Sequence, residues 1–135
     1  MKLISNIAAI LLGLVFFVFG LDHFLHFMPQ PPQTPPPAGS LIPGFFGALM
    51  GSPYLTFVKL CEVLGGALML IPVTRNIALL LLGPVIVNIW CFHIFVAKGA
   101  MLGTPMVGGL MAIITVSSLI VLFSGRKAWA GLLNA

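Results

Sequence analysis

Four long runs of this chain are almost free of charge, and they constrain its fold more than any motif does. Between Leu3 and Phe27 the only formally charged side chain is Asp22. The run from Tyr54 to Ile71 holds Lys59 and Glu62, whereas Asn76 to Ala97 and Pro105 to Phe123 hold no Lys, Arg, Asp or Glu. A helix needs about 20 mostly apolar residues to cross a bilayer, so each run is read as one span. The expected fold is all-α, an integral membrane four-helix bundle forming a single transmembrane domain over residues 1–135. Composition points the same way: charged residues are 6% and apolar ones 60%, against about 25% and about 45–50% in soluble domains. With a mean hydropathy of +1.19, a core alone cannot use so much hydrocarbon. The lipid bilayer is therefore the expected partner.

Local signals set the span limits. Ser52-Pro53 offers a capping residue and then proline at a helix start, where the missing N–H costs nothing. "IPVTRN" is a tight connection broken by Pro72, and "AKGAMLGTP" closes the third run and opens the fourth at Pro105. Pro84 falls inside the third run, where a membrane helix is expected to bend rather than stop. Lys2 and the apolar stretch after it begin like a signal peptide, but no small-x-small cleavage site precedes the polar residues, so a retained anchor is expected.

Lys2, Arg75, Arg126 and Lys127 fall on one side of a four-span arrangement and Lys98 on the other, which predicts both termini in the cytoplasm. The connection from Met28 to Ser52 then faces outward. Its proline tract predicts an extended polyproline II spacer. "PGFFGALMG", too short to span, predicts a short interfacial or re-entrant helix between spans 1 and 2.

The pI near 9.6 rests on six basic residues with no concentrated footprint, which excludes a nucleic-acid partner. Cys61 and Cys91 form no CxxC pair and no zinc spacing. They read as small buried hydrophobes rather than a redox pair, and no metal site is expected.

An ionisable group inside a span costs several kcal/mol, about 2.5–3.5 at mid-membrane, and so faces the interior, water or a partner. By helix rise, Asp22 lies ~9 Å below the outer end of its span, Lys59 and Glu62 ~9 and ~14 Å, and Asn88 and His93 ~14 and ~6 Å. All fall in the outer half. Asp22 and His26 are i,i+4 neighbours, with His23 in the same arc, and Lys59 and Glu62 are an i,i+3 pair. Asn88 and His93 stand about 140° apart, so an ideal helix does not aim both at one point. A carboxylate beside an imidazole or ammonium in such a setting suits proton exchange with a quinone head group or another small polar ligand. Each group has a plainer role: Lys59–Glu62 as a structural ion pair, His23 at the head-group level, His26 and His93 as packing or interfacial residues. Gly65-Gly66 predicts a close helix contact.

The blocks "GLVFFVFGLDHFLHFMPQPP", "SPYLTFVKLCEVLGGALMLIP" and "LLLGPVIVNIWCFHIFVAKG" together resemble the DoxX family of small bacterial four-span membrane proteins. The likeness covers the first three spans. Its most specific parts are the Glu-x-x-Gly-Gly step at Glu62 and the Pro-x-x-x-Asn-x-x-x-x-His step from Pro84 to His93. The resemblance implies a multi-pass protein of the bacterial inner membrane and carries over His26, Lys59, Glu62, Asn88 and His93 as candidates. Asp22 and His23 depart from the family pattern, which has Asn and a small residue there. The family takes its name from a subunit of an archaeal thiosulfate:quinone oxidoreductase, so the resemblance implies a quinone-linked role.

The leading expectation is a quinone-interacting subunit of a membrane redox complex, with a partner subunit and a homo-oligomer both open. Glu62 and His93 would exchange protons, and Asp22, His26, Lys59 and Asn88 would bind the ligand. One alternative is a non-catalytic assembly or scaffold subunit. A minor one is haem held axially between His93 and His26 or His23.

Overall fold

The computed structural model describes residues 2–29, 35–36, 38–99 and 101–134. These residues contain no strand. The α-helices are, in order, α1 (Lys2–Leu25), α2 (Ile42–Met50), α3 (Tyr54–Leu70), α4 (Arg75–Cys91), α5 (Pro105–Ser124) and α6 (Arg126–Leu133). A 3-10 turn, Pro72–Thr74, leads into α4, and a π-helical turn, Phe92–Val96, prolongs it. The proline tract expected to be polyproline II lies for the most part outside the described residues.

Three segments are each long and apolar enough to cross a membrane: α1, the stretch Pro72–Val96, and α5. Helices α2 and α3 meet that test only together, and they are bent by 82° where they join. The reason is length: the 17 residues of α3 rise only ~26 Å, short of the ~30 Å of a bilayer's hydrocarbon core.

Helix α1 packs along α3 and α5, and α4 packs along the same two helices. Leu12, Met69 and Leu82, one each from α1, α3 and α4, are completely buried, and Ile114 and Val121 of α5 join them in one core. In the most apolar windows of α1, Pro72–Val96 and α5, only 33%, 22% and 22% of residues are buried within the protein. The outward residues are as oily as the inward ones, with Ile10, Leu14, Leu80, Val87 and Leu119 all exposed. Such a surface is solvated by hydrocarbon rather than water.

Glycines let the helices approach closely. A Cβ on Gly66 would stand 2.6 Å from the Phe17 backbone nitrogen and 2.7 Å from the Gly13 carbonyl oxygen, so α1 and α3 meet backbone to backbone. Its neighbour Gly65 points the other way, where a Cβ would collide with the Leu82 side chain of α4 at 2.6 Å. Adjacent helical residues are 100° apart, so the pair lets two different helices close in on α3.

Helix α4 continues through Pro84 without a stop. The corner between α2 and α3 differs from the sequence expectation. Pro53, not Ser52, stands at the cap of α3. The Ser52 hydroxyl donates to the Ala48 carbonyl of α2 (2.9 Å) and accepts a long bond from the Tyr54 N–H (3.4 Å). It ties the two helices together instead of capping one, because the last carbonyls of α2 lack intrahelical donors.

A candidate ligand site between α2, α3 and α4

The bent pair and the C-terminal part of α4 border a cavity of about 610 Å³. Each element presents one stripe to it. Leu55, Val58, Lys59 and Glu62 of α3 follow helical three- and four-residue spacing, and so do Val85, Asn88 and Ile89 of α4 with Phe92 at the start of the π-turn. Across them lies α2, contributing Phe45, Phe46, Ala48 and Leu49. Phe92 anchors this cover: its ring centroid is 5.0 Å from Phe45 and 5.4 Å from Phe46, and the two α2 rings stand edge-on at 5.7 Å. Ring pairs at such separations add about 0.5–1.5 kcal/mol each beyond burial.

The wall is apolar except at a few places. Lys59 Nζ lies 3.0 Å from Glu62 Oε2, with the side chains 23% and 7% exposed. Three residues apart on one helix, they meet directly, as the spacing predicted. Glu62 also backs onto α1, where a Cβ at Gly20 would stand 3.3 Å from the Glu62 Cβ. Asn88 donates its Nδ2 to the Pro84 carbonyl (2.9 Å), which leaves its Oδ1 as an acceptor beside the cavity. Ser52 and the Tyr54 ring complete the polar fringe near the corner.

Three of the expected site residues stand together here: Lys59, Glu62 and Asn88. The other three do not join them. Asp22 Oδ1 accepts the Met28 N–H at 2.7 Å, fastening the chain as it leaves α1. His26 is exposed and sits at φ 51°, in the left-handed conformation that ends this helix, its own N–H donating to the Asp22 carbonyl (2.8 Å). The Asp22 carboxylate and the His26 backbone serve helix termination, a role that helical angles alone do not reveal. His93 is buried next to Phe92, edge-on to its ring at 5.2 Å, but is not part of the cavity wall. Its Nδ1 is enclosed and has no hydrogen-bond partner among the described residues.

Sequence reasoning passed over the aromatic side of the site. Phe45 and Phe46 carry a usable signal, two adjacent rings in a segment too short to span, but nothing in the sequence says that α2 folds back over α4. Cys91 lines the cavity and Cys61 does not; both thiols are free and half-buried. The described residues contain no group of three or more His, Cys, Asp or Glu placed to hold a metal ion, and no histidine stands on the cavity wall.

No family model, curated protein or solved structure matches the chain.

Proposed function

We propose that the chain is a DoxX-like, four-span protein of the bacterial inner membrane, with both termini cytoplasmic. In this reading it is the quinone-interacting subunit of a membrane redox complex. One observation carries it: a largely buried acid–base pair opens onto an apolar, ring-lined cavity of about 610 Å³. Small-molecule sites have this constitution, about 300–1,000 Å³ of mostly apolar wall with a few placed polar groups.

A planar head group lies in the cavity against the packed rings of Phe45, Phe46 and Phe92, and its tail leaves along hydrocarbon. The Glu62 carboxyl then exchanges a proton with a head-group oxygen. Lys59 holds the carboxylate when it is ionised, and the Asn88 Oδ1 accepts a hydrogen bond from the reduced, hydroxyl-bearing form. Electrons arrive from a partner subunit. Because Phe92 and not His93 faces the cavity, direct proton exchange is assigned to Glu62, with His93 behind the wall.

The test is Glu62→Gln in the native membrane. Quinone-dependent turnover is expected to fall at least ~100-fold, in the range lost with a positioned acid–base group, at unchanged protein level. Retained turnover removes Glu62 from the mechanism.

The close approach of α1 at Gly20 to Glu62 favours a second reading, a scaffold subunit in which the ion pair fixes helix register. It expects the double variant Lys59→Met, Glu62→Leu to assemble and support its complex normally, since apolar replacement of a whole buried pair is often tolerated. The quinone reading expects an assembled but inactive complex.

A further inference from the structure

The far end of the protein holds a second cleft, and its charge is unbalanced. The chain has six Lys and Arg against two Asp and Glu. Both acids are spent at the other end, Glu62 on Lys59 and Asp22 on the Met28 N–H. Lys2, Arg75, Arg126 and Lys127 therefore crowd one end with no carboxylate side chain among the described residues to neutralise them.

Three of these cations, Lys2, Arg75 and Arg126, line one cleft of about 330 Å³ together with Ser5, Asn6 and Ser124. The cleft is built where three long helices converge. Arg75 Nη1 donates to Asn6 Oδ1 (2.6 Å), tying the start of α4 to the start of α1. The Ser5 and Ser124 hydroxyls, 2.5 Å apart, tie α1 to the end of α5. Arg75 uses one more donor, Nε to the Met69 carbonyl (3.3 Å), and Arg126 gives Nη1 to the Phe123 carbonyl (3.1 Å). A guanidinium has five N–H donors and an ammonium three, so most of the donors on these three cations remain for a ligand.

We infer that this cleft binds the phosphate of an anionic phospholipid head group. The chemistry required is a phosphate oxyanion among converging cations. The lipid source is favoured over free phosphate by the surroundings. Leu3 and Ile4 of α1 and Leu132 and Leu133 of α6 are exposed at this same end, and the short α6 joins Arg126 and Lys127 to those leucines while Trp129 packs inward against the core, the make-up of a helix lying at a membrane interface. Basic pockets between membrane helices take phospholipid head groups by this arrangement. The site is separate from the α2–α4 cavity, and the inference does not depend on the quinone reading.

The experiment is native mass spectrometry of the full-length protein, delipidated in detergent and titrated with phosphatidylglycerol or phosphatidylcholine. Phosphatidylglycerol is expected to be retained preferentially. Lys2→Gln with Arg126→Gln should weaken that retention ~25-fold, about fivefold for each surface cation removed. These two side chains make no bond between the long helices, so the variant tests binding rather than folding. Lys127→Gln removes one positive charge outside the cleft and should change little. A loss of about fivefold in Lys127→Gln, the same per charge as in the double variant, would show diffuse attraction and overturn the site. Undiminished retention in the double variant would overturn it as well. Displacement of the lipid by millimolar inorganic phosphate would reassign the cleft to a free anion.

Discussion

At the scale of single residues, the glycines separate positions that hold helices together from positions that only fill a turn. Gly66→Ala would place a methyl group against the backbone of Phe17 and Gly13, atoms that cannot rotate away. Helix α1 would have to back off α3. We expect a loss of about 1–3 kcal/mol, the usual cost of overpacking, measured by unfolding in mild detergent. Gly83→Ala, on α4, meets nothing within 4 Å and should be neutral or gain up to ~1 kcal/mol from better helix propensity. The ion pair obeys a different rule. Lys59→Met alone strands a carboxylate that is 7% exposed and should cost up to ~3 kcal/mol, the low end for breaking a buried pair because Lys59 reaches solvent. Adding Glu62→Leu should return most of that loss. A double variant no more stable than the single one would mean that the pair is not the cause.

At the scale of elements, α2 is the piece most easily moved. It covers the cavity mainly through the rings of Phe45 and Phe46 against Phe92. Phe92→Ala removes both ring pairs, so opening of α2 should become roughly tenfold easier. Hydrogen exchange should rise over Ile42–Met50 and leave the middle of α4 unchanged; equal protection in wild type and variant would assign the cover to other contacts. The long helices were legible in the sequence to within a few residues, since hydrocarbon runs punctuated by Pro53, Pro72 and Pro105 leave little freedom in where they start; the short, charged α6 was not. The Lys59–Glu62 pair was legible for the same local reason. The 82° corner, the π-turn at Phe92–Val96 and the uses of Asp22 and His26 were not. Each depends on what a neighbouring segment does, and helical angles computed along one ideal axis stop at the helix end, where Asp22 and His26 take up capping bonds.

At the scale of the whole molecule, one hydrogen bond bears on how many times the chain crosses the bilayer. Ser5, at the start of α1, and Ser124, at the end of α5, touch through their hydroxyls, and Arg75 at the start of α4 joins them through Asn6. A chain whose first span begins where its last span ends must cross an even number of times. Three long spans alone would leave the two ends on opposite faces. On the proposed four-span topology the bent α2–α3 pair counts as one crossing, with α3 supplying most of the depth and α2 lying across its end. On the proposed topology the Lys and Arg distribution puts both ends in the cytoplasm. The test uses a protein with Cys61 and Cys91 replaced by alanine and one cysteine introduced at Gly39 or Lys127, both exposed. A membrane-impermeant maleimide added to intact cells should label Gly39→Cys and not Lys127→Cys, and inverted vesicles should reverse the pattern. Labelling of both positions from the same side would break the even count and, with it, the outward-facing position of the α2–α4 cavity.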